Sequence, residues 1–102
     1  MLVLSVDVLC DAIKNRRVLE IVYPPGVRLI EPHALGYSSE RHILLRAYQI
    51  FGASGSGEHE WWKLFRIDRL QDAIDSGACF IGPRPLYRRG DTAMKGGIIV
   101  EL

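Results

Sequence analysis

Residues 43–49, Ile-Leu-Leu-Arg-Ala-Tyr-Gln, and residues 61–70, Trp-Trp-Lys-Leu-Phe-Arg-Ile-Asp-Arg-Leu, alternate in character along the chain, and this constrains the fold more than any other feature. Successive side chains of a strand point to opposite faces. Ile43, Leu45 and Ala47 therefore share one face of a first strand, and His42, Leu44, Arg46 and Tyr48 the other. In the second strand Trp61, Lys63, Phe65 and Ile67 share a face, opposite Trp62, Leu64 and Arg66, before Asp68, Arg69 and Leu70 leave the strand. The first strand has one apolar face and one that mixes arginine with an aromatic ring, and the second sets cations among aromatic and apolar residues. The pattern predicts the heart of a small β-barrel with cationic positions on or beside its sheet.

Elsewhere the chain supplies what such a barrel needs. Val6, Leu9 and Ile13 recur at helical spacing, with Ser5 placed as an N-cap, Asp7 in the first turn, and Lys14, Arg16 and Arg17 at the far end. Both charge placements suit the helix dipole. They predict a helix over about residues 5–16 that packs on the barrel. Residues 18–23, Val-Leu-Glu-Ile-Val-Tyr, read as a strand closed by the turn Pro24-Pro25-Gly26. A returning strand follows, with Arg28, Ile30 and Pro32 on one side and Leu29, Glu31, His33 and Leu35 on the other. Pro32 cannot donate to a ladder, so that strand is at an edge, bulged or broken there.

Residues 52–59 hold three glycines, but not at Gly-x-Gly-x-x-Gly spacing and not before a helix pattern, which makes them a flexible hairpin loop rather than a phosphate cradle. Residues 70–75 read as a helical turn ended by Ser76-Gly77, and Phe80-Ile81 as a last short strand or core anchor. From residue 82 the texture changes, with Pro83, Pro85 and Gly90 punctuating Arg84, Tyr87, Arg88 and Arg89. The apolar run over residues 98–102 is strand-like and suits pairing with the domain's own edge or with another molecule.

A chain of 102 residues makes one domain able to bury most of its unfolded surface. Apolar residues at 48% and charged residues at 25% exclude a disordered or fibrous class, and a net charge of +1 excludes general electrostatic adhesion to nucleic acid. Ten of the thirteen basic residues are arginines, the side chain suited to bidentate phosphate contacts and stacking. Cys10 and Cys79 stand far apart among apolar neighbours and read as buried free thiols of a cytoplasmic protein. The N-terminal run meets Asp7 without a positive n-region, so no signal peptide is expected, and no apolar run is long enough for a membrane span. His33, His42 and His59 lack metal-ligand spacing, and Cys10 has no positioned base. The sequence thus predicts no catalysis, no cofactor and no metal.

Taken together, the helix leading to Leu19-x-Ile21-x-Tyr23, then Arg28-x-Ile30-x-Pro32-x-x-Leu35, Leu45-x-Ala47-Tyr48, and Lys63-x-Phe65-Arg66-Ile67-Asp68-Arg69-Leu70 followed by Phe80 resemble a WYL domain. The order and spacing of the pieces carry the resemblance, which spans residues 9 to about 80. It implies a mainly β fold, a small SH3-like (Sm-like) barrel of about five strands with one N-terminal helix. It also implies a non-catalytic ligand sensor of bacterial transcription regulation that binds nucleic acid, above all single strands, or nucleotide-like ligands. The family's contact positions fall on Arg28, Arg46, Arg66 and Arg69, with Lys63 where an arginine is common, and Tyr48, or Trp61 and Trp62, stand near them as rings for stacking. One departure is plain: the eponymous Trp-Tyr-Leu is Ile43-Leu44-Leu45 here.

A chain this short leaves no room for a helix-turn-helix, so the expectation is a stand-alone copy. It would act by pairing with a partner regulator, by forming a homodimer, or as an accessory to a nucleic-acid enzyme such as a CRISPR or phage-defence effector. The alternative expectation is a protein-protein interaction barrel that oligomerises through residues 98–102 and binds no small ligand.

Overall fold

A computed structural model describes residues 6–102; Ser5, the expected N-cap, lies outside them. The described chain is mainly β, with a helix α1 (Val6–Lys14) followed by strands β1 (Arg17–Tyr23), β2 (Gly26–Tyr37), β3 (Ile43–Gly52) and β4 (Trp61–Arg66). A 3-10 turn (Ile67–Arg69) then leads to β5 (Asp72–Cys79), and β6 (Gly97–Glu101) closes the order. All pairings are antiparallel, in one six-stranded sheet of order β4-β3-β2-β1-β5 with β6 added to β2.

The 12-residue β2 organises this sheet. One of its edges pairs with β3 from Arg28 to Tyr37. The other edge is divided: residues 26–30 pair with β1, and residues 34–37 pair with β6. Pro32 falls in the gap between these two partners, where its missing N–H costs no ladder bond. Against β3 the register shifts between Pro32 and Ala34, so the strand is bulged at its proline. The bulge corrects the simple alternation expected of this strand, because it returns Leu35 to the same apolar cluster as Ile30.

That cluster joins Leu9, Ala12 and Ile13 of α1 to Leu19, Ile21, Ile30, Leu35, Leu45, Ala47 and Phe65. Leu45 and Phe65 are cross-strand partners, as the alternation of the two opening segments requires. At about 25 cal/mol per Å² of apolar surface removed from water, such a cluster is the main stabilising term of the fold. A second, smaller cluster of Ala34, Leu44 and Met94, with Tyr87 and Ala93 against it, lies on the opposite face of β2 and β3.

Two expectations are corrected. Residues 72–79 form β5 rather than continuing a helical turn, because the free edge of β1 offers ladder bonds that a short isolated helix cannot match. Arg17 strengthens that choice by holding both carboxylate oxygens of Asp75 at 2.9 Å. Cys79, expected to be buried, is exposed at the end of this edge strand and accepts a hydrogen bond from Arg17 Nη1 at 2.8 Å, while Cys10 is partly buried. The sixth strand, β6, is the apolar C-terminal run paired with the chain's own β2. No described helix is long and apolar enough to cross a membrane.

Candidate ligand cleft on the outer sheet face

Cross-strand registers set the outer face of β2, β3 and β4 in rows: Glu31, Tyr48 and Trp62; then Ala34, Arg46 and Leu64; then Gly36, Leu44 and Arg66. Residues 82–96 cross this face as a strap. Arg84 forks onto Glu31, with Nε and Nη2 donating to its two carboxylate oxygens at 2.7 and 3.2 Å, and lies 4.4 Å over the ring of Tyr48. Trp62 Nε1 donates to the Pro85 carbonyl, and the ring of Tyr87 stacks on Trp62 with centroids 6.0 Å apart and planes 22° apart. Farther along, Arg46 donates from Nε and Nη2 to the two oxygens of Asp91, at 2.6 and 3.3 Å.

His33 anchors the strap from below. Its ring is fully buried, edge-on to Trp62, stacked on Phe80 and tilted against Tyr87. The Arg84 backbone N–H donates to Nε2, so Nδ1 carries the proton and donates to the Glu31 carbonyl at 2.8 Å. Burial pushes the imidazole pKa below its ordinary value. Burial also pushes the Tyr87 phenol up. Burial would raise Asp91 too, but the hydrogen bonds from Arg46 and from the Ala93 N–H together hold its carboxyl low.

Between strap and sheet lies a cleft of about 570 Å³, lined among others by Arg46, Trp62, Tyr87, Arg88, Arg89 and Asp91. Its size falls within the usual range of small-ligand sites. Arg88 and Arg89 are exposed at its rim, Arg89 reaching Glu101 at 3.3 Å.

The residues singled out by sequence do not form one site. Arg46 and Tyr48 lie at the strap-covered face, Arg46 in the cleft wall and Tyr48 edge-on to Trp62. Arg66 is one row further along, bound to Asp68 and within 3.3 Å of His42 Nδ1, and Arg69 is exposed in the 3-10 turn. Arg28 and Lys63 project to the inner side. Arg28 is buried at the end of the core, lying over the rings of Tyr23 and Phe65 and donating to Gln49 Oε1 and to the carbonyls of Tyr23 and Pro24. It holds the β1–β2 turn rather than facing solvent. Lys63 ties the loop after β3 by donating to Ser54 and Ser56 at 3.0 Å.

Tyr87, Arg88, Arg89 and Asp91 were outside the residues that sequence alone would choose. Their signal was the clustering of arginine and tyrosine in the Pro/Gly-punctuated stretch after residue 82. Comparison with family models, with curated proteins and with solved structures found no match to this chain.

Proposed function

We propose that this chain is a non-catalytic ligand-binding module of the WYL kind, its bent sheet a half-open SH3-like barrel, and that it takes single-stranded nucleic acid or a nucleotide-like ligand at the outer sheet face. The observation that carries the reading is one cleft lined by three arginines, Arg46, Arg88 and Arg89, together with the stacked pair Trp62 and Tyr87. Phosphates are recognised by such forked donors, and bases by stacking on aromatic faces, with each stacked base contributing about 1–3 kcal/mol. The resemblance of residues 63–70 and their neighbours to the WYL pattern supports the same class of ligand. The motif's own ring is missing at Leu44, and Trp62 of β4, the cross-strand partner of Tyr48, offers another ring on the face that carries Arg46.

The test is tryptophan fluorescence of a Trp61→Phe variant, which leaves Trp62 as the only reporter, titrated with a short oligothymidylate. Saturable quenching that weakens about tenfold or more in an Arg88→Ala, Arg89→Ala double variant is the expected result. Both substitutions fall on exposed side chains, so the fold survives them. A flat titration would exclude the reading.

A further inference from the structure

The strap that completes the cleft also covers the surface beneath it. Asp91 presents two anionic oxygens to Arg46 in the forked geometry a phosphate would adopt, and Tyr87 lies on Trp62 as a base would stack. A third contact repeats the theme, with the Arg84 guanidinium over Tyr48. We infer that residues 82–96 are an internal ligand, Asp91 standing for a phosphate and Tyr87 for a base, and that a single nucleic-acid strand binds this face by displacing them. The inference rests on the nucleic-acid reading above and adds its regulation: the face is held closed by the chain itself.

The way the strap is attached fits this role. Before its last residue, its backbone–backbone hydrogen bonds run within itself, from Tyr87 N to Arg84 O and from Met94 N to Asp91 O. Its hold on the sheet comes through side chains: Glu31, His33 and Trp62 near its start, Arg46 in the middle, and Met94 packed on Ala34 and Leu44 near its end. Side-chain ties can be exchanged one at a time for contacts to a ligand, whereas a ladder would have to be broken as a unit. Arg88 and Arg89 project from the strap at the rim of the cleft and give an arriving strand its first phosphate contacts. The two anchors at either end, Phe80 N to Arg16 O and Gly96 N to Tyr37 O, keep the strap tethered while its centre opens.

The experiment compares wild type, Asp91→Asn and, as a remote change of the same charge, Asp75→Asn, each titrated with a short oligothymidylate. Hydrogen exchange is followed at the amides of Arg84 and of residues 86–92 with and without the oligonucleotide. Displacement predicts that Asp91→Asn binds about tenfold tighter than wild type, as loss of one charge-assisted competitor allows. Asp75→Asn should bind as wild type, and bound oligonucleotide should raise exchange at Arg84, Tyr87 and Gly90, whose N–H groups are bonded in the closed strap. If wild type binds but Asp91→Asn binds equally or more weakly, or if exchange in this segment falls on binding, the strap is not displaced and the inference is overturned while the nucleic-acid reading stands. If neither wild type nor Asp91→Asn binds, that reading fails and the inference with it. Should Asp91→Asn not fold, Asp91→Ser, which removes the carboxylate and keeps an acceptor for the Ala93 N–H, carries the same comparison.

Discussion

At the scale of single residues, the closed strap depends on the protonation of one imidazole. His33 Nε2 accepts from the Arg84 N–H, so a second proton there would set two donors against each other inside a cage of Trp62, Phe80 and Tyr87. Burial lowers the imidazole pKa most; the Glu31 carbonyl and carboxylate work against that, while the Arg84 charge adds to it, and the lowering prevails. The folded state therefore binds fewer protons than the unfolded chain once the pH falls below the unfolded value of about 6.5, and stability falls with it. Thermal melts from pH 7.5 to 5 should show a falling midpoint, with a shallower slope in His33→Asn; equal slopes would remove the imidazole from the account. A core residue gives a simpler expectation: Phe65→Ala empties the contact with Leu45 and Tyr23 and should cost about 3–5 kcal/mol in urea unfolding. The core was legible from alternation because both partners obey it. The pairing of Arg46 was not: its acid lies 45 residues away along the chain, and no local period reports such a contact.

At the scale of elements, the helix, the first four strands and the terminal strand were legible because each carries its own period or turn signal. β5 was not, since its residues 72–79 hold two acids, a glycine and no alternating apolar pattern, and it exists as a strand only because β1 offers an edge. β6 illustrates the opposite case, in which an apolar run legible as a strand had two open partners and takes β2. Ile99, Val100 and Leu102 pack partly buried against the main cluster, and Leu102 N donates to the His33 carbonyl. Fully burying such a side chain contributes about 1.5–3 kcal/mol, so losing the three approaches the ~5 kcal/mol at the lower end of small-domain stability. A chain ending after Gly97 should accordingly lose its cooperative urea transition; a native-like transition would show that β6 is dispensable. For the same reason truncation is a poor probe of oligomerisation, and Ile98→Lys, on a side chain 37% exposed, tests that surface without removing the strand.

For the whole molecule, the distribution of charge matters more than its sum. A net charge of +1 gives little long-range attraction for a polyanion, so salt dependence of binding must come from the few cations that meet phosphates directly. Of the arginines marked by sequence, Arg28 is buried in the core end, Arg66 is bound to Asp68, and Arg46 is bound to Asp91. Arg88 and Arg89 are exposed at the cleft, Arg89 with Glu101 at 3.3 Å, and Arg46 joins them only when Asp91 yields it. Three phosphates engaged on a single strand predict a log-log salt slope of about −2, or roughly a 16-fold loss of affinity between 50 and 200 mM salt. If Asp91 competes for Arg46, wild type and Asp91→Asn should differ in affinity at every salt concentration while sharing this slope, because the bound states engage the same phosphates. A slope near −0.7 in wild type alone would mean that Arg46 stays with Asp91 and one rim arginine does the binding. A titration that is flat at every salt would favour a β module that recognises another protein, with Ile98→Lys and the oligomeric state as its next test.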